Sequence, residues 1–260
     1  MMAVEITEEF VWQNIPRRPR DSHKGTFGSV LAVAGSAFYR GAALLAAEGA
    51  LRTGAGIVTL ASVEPVVSAA AARLPECCLC PCRAGAEDGI SPENVPLLRR
   101  QKATVLLLGS GLGGTAQSAA RAAETQALVQ QLLPGFAGSA VLDADGLNAL
   151  QGCTEKLDVR RGRVTILTPH DGEFARLTDR TLREIASSER TELASRFACE
   201  HGCILVLKGH RTRIALPDGR MLVNTSGCSA LSKGGSGDVL TGLIASLLCQ
   251  GVGAAEAAAL

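Results

Sequence analysis

Short apolar runs alternate with longer segments of helical pattern along the chain. Residues 29–34 (SVLAVA) form an apolar run that stops at Gly35 and predicts a buried strand. Residues 57–61, 104–108, 140–142, 164–167 and 203–207 repeat that character and predict further strands. Between them lie 42–52, rich in Ala and Leu, 115–133, stopping at Pro134-Gly135, 181–201, closed by Gly202, and 235–248. Each of these predicts a helix. Residues 211–215 and 221–223, joined by Pro217-Asp218-Gly219, predict a hairpin. The expectation is an α/β fold with a mostly parallel central sheet, helices on both faces and an antiparallel hairpin late in the chain. No internal repeat or low-complexity linker divides residues 1–260, so a single domain is expected. In such sheets ligands bind beyond the carboxyl ends of the strands, which makes those turns the place to look for chemistry.

Composition narrows the function classes. Hydrophobic residues make up 47% and charged residues 20% of 260 residues, enough for a sizeable core. The net charge is +1 and aromatic residues are 3%, so neither a basic field nor a base-stacking platform points to nucleic acid. No apolar run is long enough for a membrane helix. The start of the chain carries Glu5, Glu8 and Glu9 and reads as no signal peptide. Together with the odd count of 9 cysteines, this favours reduced thiols in a cytoplasmic protein. The cluster Cys77, Cys78, Cys80, Cys82 lacks the paired C-x-x-C spacing of zinc sites and contains Pro81, so an apolar segment in or beside a strand is preferred to a metal site.

Several turns carry candidate chemistry. Lys233-Gly234-Gly235-Ser236-Gly237-Asp238 leads directly into the helical run 239–248. Glycines at a helix start leave backbone N–H groups open to a phosphate, which the helix dipole also favours. Asp238 in the first turn is placed to take a proton from a hydroxyl attacking that phosphate, or simply to cap the helix. Lys208-Gly209-His210-Arg211-Thr212 follows a strand of pure core character and suits nucleotide phosphate or ribose, or a solvated turn. Thr168-Pro169-His170 ends another strand, with His170 placed to face a crevice or to serve structure. Gly109-Ser110-Gly111-Leu112-Gly113-Gly114 matches the dinucleotide fingerprint. The acidic residue that this fingerprint wants about 20 residues on, at the end of the next strand, is missing, because that strand runs to Asp143. The motif therefore reads as a glycine loop that lets a ligand lie against backbone.

Taken in order, these segments resemble the ADP/ATP-dependent NAD(P)H-hydrate dehydratases, a branch of the ribokinase-like superfamily. The residues that carry the resemblance run from His23-Lys24-Gly25, through Gly35-Ser36 and Gly41-Ala42-Ala43, to Gly109-Ser110-Gly111-Leu112 and Asp143-Ala144-Asp145. They continue through Thr168-Pro169-His170, Gly172-Glu173-Phe174, Leu207-Lys208-Gly209 and Asn224-Thr225-Ser226-Gly227 to Gly235-Ser236-Gly237-Asp238. The resemblance implies a ribokinase-like three-layer sandwich and repair of NADHX and NADPHX, reduced nicotinamides hydrated across the 5,6 double bond. ADP or ATP, with Mg2+, would phosphorylate the ring hydroxyl, and departure of phosphate would restore NADH or NADPH. It implies that Ala42, Gly111, His170 and Asp238 bind the hydrate, with Asp238 as base. Lys208, Gly209, His210, Arg211, Thr212 and Gly237 would bind nucleotide, with the backbone of Gly235, Ser236 and Gly237 stabilising the migrating phosphoryl group. ADP is the expected partner, a homotetramer the expected assembly, and a separate epimerase the expected pathway companion. The pattern departs from the family in two places. The family continues past Leu260 with a helix carrying a His-Gly pair, which points to truncation here, and Cys228-Ser229-Ala230-Leu231-Ser232-Lys233 replaces the family's Pro-Gly-Met-Ala-Thr loop. The alternatives are a small-molecule kinase of the same superfamily, acting on hydroxyethylthiazole or hydroxymethylpyrimidine, an NAD-dependent oxidoreductase built on the 109–114 loop, and a non-catalytic nucleotide sensor.

Overall fold

A computed structural model describes residues 3–185 and 190–260. Its strands are β1 (Val4–Glu5), β2 (Ser29–Val33), β3 (Ile57–Ser62), β4 (Cys78–Pro81), β5 (Val105–Leu108), β6 (Ser139–Leu142), β7 (Thr165–Leu167), β8 (Ile204–Leu207), β9 (Arg213–Ala215) and β10 (Met221–Val223). They form a 10-stranded sheet in the order β1-β10-β9-β8-β7-β6-β5-β2-β3-β4. Only β9 runs against the rest, between β8 and β10. The central strands β5 and β8 are buried at every position, as uninterrupted apolar strands covered on both faces should be.

From β2 the chain moves outward to β3 and β4, then returns to the far side of β2 with β5 and proceeds through β6, β7 and β8. Right-handed crossovers in opposite directions place the helices Arg40–Thr53 and Glu64–Arg73 on one face and Ala119–Gly135 and Arg190–His201 on the other. The helix Ser236–Cys249 packs along Arg40–Thr53 and over β2, β5 and β6. This approach depends on Gly49 and Gly242, where a β-carbon would drive into the backbone of Val239 and Ala46 respectively. Strand order reverses between β2 and β5, and the crevice at that switch point is the expected ligand site.

Most predicted elements are present, with shifted ends. The helix expected over 115–133 runs Ala119–Gly135, because the Ser118 hydroxyl accepts from the N–H of Arg121 and caps it there. The strand expected from 211 begins at Arg213, because Arg211 has φ 55, a left-handed backbone that cannot extend the ladder. Within the expected helix 181–201, Leu182–Ile185 and Arg190–His201 are helical and residues 186–189 lie outside the described residues. Strand β1 and the helices Glu8–Asn14 and Glu64–Arg73 are additions to the reading from sequence.

The cysteine cluster lies in and beside an edge strand. Cys78–Pro81 forms the edge strand β4, where a proline is tolerated. Burial pushes the Cys77 thiol up to about 11 and the Cys82 thiol up to about 12, which keeps both protonated. Among the described residues no group of three or more His, Cys, Asp or Glu side chains is disposed to hold a metal ion, and no helix is long and apolar enough to cross a membrane.

Candidate active site

The loop before the helix Ser236–Cys249 forms a cradle for an anion. Gly235 caps this helix with φ 90, a left-handed backbone that favours glycine. The N–H groups of the first turn have no partner within the helix and point out of its start, where the dipole is positive. The Ser236 hydroxyl is buried and has no hydrogen-bond partner among the described residues, which leaves a donor waiting in the same cradle. A β-carbon on Gly237 would lie 3.3 Å from Nζ of Lys208 and 3.4 Å from Oδ2 of Asp143, so the lysine ammonium sits against this first turn.

Lys208 is held there from beneath. It leaves the end of β8, and its ammonium donates to Oδ1 of Asp143 at 2.8 Å, with Oε2 of Glu173 at 3.7 Å. Asp143, at the end of β6, is only 3% exposed. It accepts further bonds from the hydroxyls of Thr168 (2.9 Å, end of β7) and Thr241 (3.1 Å, second turn of the cradle helix). Three strand ends and the cradle helix therefore converge on one buried carboxylate.

Asp238 stands in the first turn of that helix and lines a crevice of about 880 Å3 with Ala42, Gly111, Asp145, Asn148 and Arg176. Burial pushes its carboxyl up to about 6. The Ser110 hydroxyl and the Lys208 cation oppose the shift, while the charges of Asp143 and Asp145 add to it. A carboxylate with this proton affinity is ionised near neutral pH and still accepts a proton readily, which suits a general base. Gly111 has φ 66 and packs against Tyr39 and Ala42 with no room for a side chain. At Gly109 a β-carbon would enter the carbonyl of Asp143. The first glycine of the 109–114 loop thus serves the close passage of two strand ends, and the later ones form crevice wall.

The remaining predicted residues separate into two groups. His170 caps the helix Asp171–Leu177: its Nδ1 accepts from the N–H of Gly172 (3.0 Å) and of Glu173 (3.3 Å), and Glu173 accepts the His170 N–H in return. A β-carbon on the intervening Gly172 would lie 2.9 Å from the His170 ring and 3.8 Å from Arg176, so His170 sits beside the crevice wall without lining the crevice itself. Gly209, His210 and Arg211 are exposed beyond β8, with Thr212 half-buried and bonded to the Gly209 carbonyl (3.0 Å). Of this loop, Lys208 is the member drawn against the cradle.

Sequence reasoning missed Asp143 as the anchor of Lys208, and Asp145, Asn148 and Arg176 as crevice wall. A signal was present, since the apolar strand 140–142 runs straight into Asp143-Ala144-Asp145, two carboxylates at a strand's carboxyl end.

Comparison with known proteins agrees with this geometry. The family model described as NAD(P)H-hydrate dehydratase matches residues 30–260. The ADP-dependent (S)-NAD(P)H-hydrate dehydratase of Bacillus subtilis is 36% identical over 243 residues, 94% of this chain and 80% of that protein. The protein of the same name from Neisseria meningitidis serogroup B is 39% identical over 243 residues, 93% of this chain and 76% of that protein. The chain spans less than half the length of several longer relatives, such as the bifunctional NAD(P)H-hydrate repair enzyme Nnr of Gloeobacter violaceus, 43% identical over 90% of this chain and 43% of that protein. The crystal structure of the Bacillus subtilis ADP/ATP-dependent NAD(P)H-hydrate dehydratase, co-crystallized with ATP/Mg2+, matches with a TM-score of 0.80 at 32% identity, over 100% of this chain and 86% of that one. Arabidopsis thaliana ribokinase, at 13% identity and a TM-score of 0.53, shares the fold alone, which is ribokinase-like. With the family model covering nearly all of the sheet and every residue of the cradle and crevice described above, the chain belongs to the NAD(P)H-hydrate dehydratase family.

Proposed function

We propose that this chain dehydrates the S epimer of NADHX and NADPHX back to NADH and NADPH, using ADP or ATP to phosphorylate the ring hydroxyl that must leave. The observation that carries this reading is Asp238, a carboxylate pushed up to about 6, set at the meeting of an anion cradle and a crevice of about 880 Å3. Hydroxide is a poor leaving group and phosphate a good one. In this reading Asp238 takes the hydroxyl proton as the oxygen attacks the terminal phosphoryl group. The N–H groups of Ser236 and Gly237, the Ser236 hydroxyl and the Lys208 ammonium stabilise the charge that develops on that group. Ala42 and Gly111 shape the wall against which the hydrated ring lies, and His170 contacts the substrate from beside it. Gly209, His210, Arg211 and Thr212 receive the rest of the nucleotide.

Mg2+ would supply charge neutralisation on the phosphates when bound. The described residues offer no cage of protein ligands, which fits a cation carried chiefly by the nucleotide's own phosphates and water. The free state of all the cysteines suits a reducing compartment, and we place the protein in the cytoplasm as a homotetramer, with a separate epimerase supplying the S form. ADP is the expected phosphoryl donor.

The test is incubation with hydrated NADH or NADPH and each nucleotide in turn, following the return of reduced-nicotinamide absorbance. Asp238→Asn should fold and bind nucleotide while losing turnover by about two to four orders of magnitude, the usual worth of a positioned base. Accumulation of a stable phosphorylated alcohol without reduced nicotinamide would instead establish a kinase. Full repair activity in Asp238→Asn would remove the assigned base.

A further inference from the structure

Undoing the hydration requires two bonds to break, and Asp238 serves only one of them. After the ring hydroxyl has become a phosphate ester, the C6–O bonding pair leaves with phosphate. The lone pair of ring N1 moves in to form an N1–C6 double bond, and the ring becomes a cation. Reduced nicotinamide appears only when a base removes the proton from C5. The C5–H bonding pair then becomes the C5–C6 double bond, and N1 recovers its lone pair. If that proton stays, water re-adds at C6 and the nucleotide has been consumed for nothing. Asp238 takes the hydroxyl proton in the first step, so a second acceptor lets the C5 proton leave without waiting for Asp238 to discharge.

A second carboxylate stands in the same crevice. Asp145 lines it together with Asp238, Ala42 and Gly111. Its Oδ2 accepts the N–H of Gly113 at 2.8 Å, which fixes the orientation of the group. Oδ1 is turned toward Gly114, where a β-carbon would find nothing closer than that oxygen at 3.5 Å. The backbone that delivers it is strained. Ala144, which caps the short helix Asp145–Asn148, has φ 49 and ψ −118, a conformation a β-carbon disfavours. Such strain persists where the surroundings enforce it and gathers at working sites. Burial raises the proton affinity of Asp145, held back by the Gly113 N–H and the Asn148 side chain.

Resting on the dehydratase reading, we propose that Asp145 is a second catalytic base, the group that takes the C5 proton after phosphate has left. The two carboxylates divide the reaction: Asp238 opens it at the hydroxyl and Asp145 closes it at the neighbouring carbon.

The experiment measures phosphate release and reduced-nicotinamide formation separately, with hydrated NADH and nucleotide, for the wild type, Asp145→Asn and Asp238→Asn. The wild type should yield both products in equal amounts, and Asp238→Asn neither. Asp145→Asn should keep phosphate release within about tenfold of wild type while reduced-nicotinamide formation falls at least about 100-fold, the lower worth of a positioned base. Deuterium at C5 should then slow reduced-nicotinamide formation without slowing phosphate release. Asp145→Ala leaves room for a small carboxylate, so added formate should raise reduced-nicotinamide formation at least about tenfold and leave phosphate release unchanged. Parallel loss of both products in Asp145→Asn, retention of both, or failure of formate rescue overturns the assignment. A wild type that forms neither product overturns the dehydratase reading itself, an outcome distinct from these.

Discussion

Changing Asp143 to asparagine keeps the shape of the side chain and deletes its charge. In the native site this carboxylate accepts from Lys208 at 2.8 Å, Thr168 at 2.9 Å and Thr241 at 3.1 Å. Removing one partner of a fully buried ion pair costs about 3–5 kcal/mol. The loss here is smaller for three reasons. The Lys208 side chain keeps 20% exposure, Glu173 remains at 3.7 Å, and the two threonines retain bonds to the carbonyls of Leu142 and Gly237. A destabilisation of about 2–3 kcal/mol follows, which in a chain of this size lowers the Tm by about 4–12 °C. Activity should change in a second, separable way. The Asp143 charge is one of the causes that raise Asp238, so its removal lowers the Asp238 carboxyl from about 6. A base fails when protonated, so the acid limb of the kcat/KM profile should move to lower pH. Thermal melts and a pH profile of hydrate repair read the two effects independently. A Tm within about 2 °C of wild type together with an unmoved acid limb would refute the reasoning, since neither the pair nor the coupling would then be acting.

Three further outcomes are expected. The folded value of Asp238, about 6, lies above its unfolded value of 3.8, so its stabilising contribution is complete below pH 3.8 and is lost as pH rises through about 6. Asp238→Asn should therefore gain about 1–2 kcal/mol over wild type at pH 8 and little at pH 4, and a variant less stable than wild type at pH 8 contradicts this. Gly237→Val should leave the fold intact and abolish nucleotide use, because the new side chain enters the space beside Lys208 and the cradle N–H groups, and calorimetry showing normal ADP affinity would count against it. His170→Ala should lose about 1 kcal/mol with the helix cap, whereas His170→Asn, which can still accept from the helix start, should melt near wild type. If both raise the KM for the hydrate equally, the imidazole contacts substrate as well as capping; if neither does, its role is the cap alone.

The strand–helix alternation was legible because buried parallel strands must be apolar throughout, and β5 and β8 read that way from 104–108 and 203–207. Element ends were less legible because single residues set them. Ser118 starts a helix three residues after the pattern turns helical, and Arg211 delays β9 through one positive φ. The apolar character of the 77–82 segment made a strand there legible, and Cys78–Pro81 forms it. The 109–114 loop looked like a ligand cradle throughout, yet Gly109 is dictated by the passing carbonyl of Asp143, a neighbour more than thirty residues along the chain.

The sequence alone determined the doubly covered, mostly parallel sheet and the helix opening on Gly235-Ser236-Gly237-Asp238 with an acid in its first turn, because these follow from local period, local backbone freedom and the start of one helix. Tertiary structure set the proton affinity of that carboxyl. Its raised proton affinity comes from burial and from Asp143 and Asp145, and the Lys208 ammonium is held against the cradle by Asp143, at the end of another strand, and by Glu173, in the helix Asp171–Leu177. Desolvation and charge pairing are sums over neighbours that the chain brings together from distant positions, and no local pattern contains them.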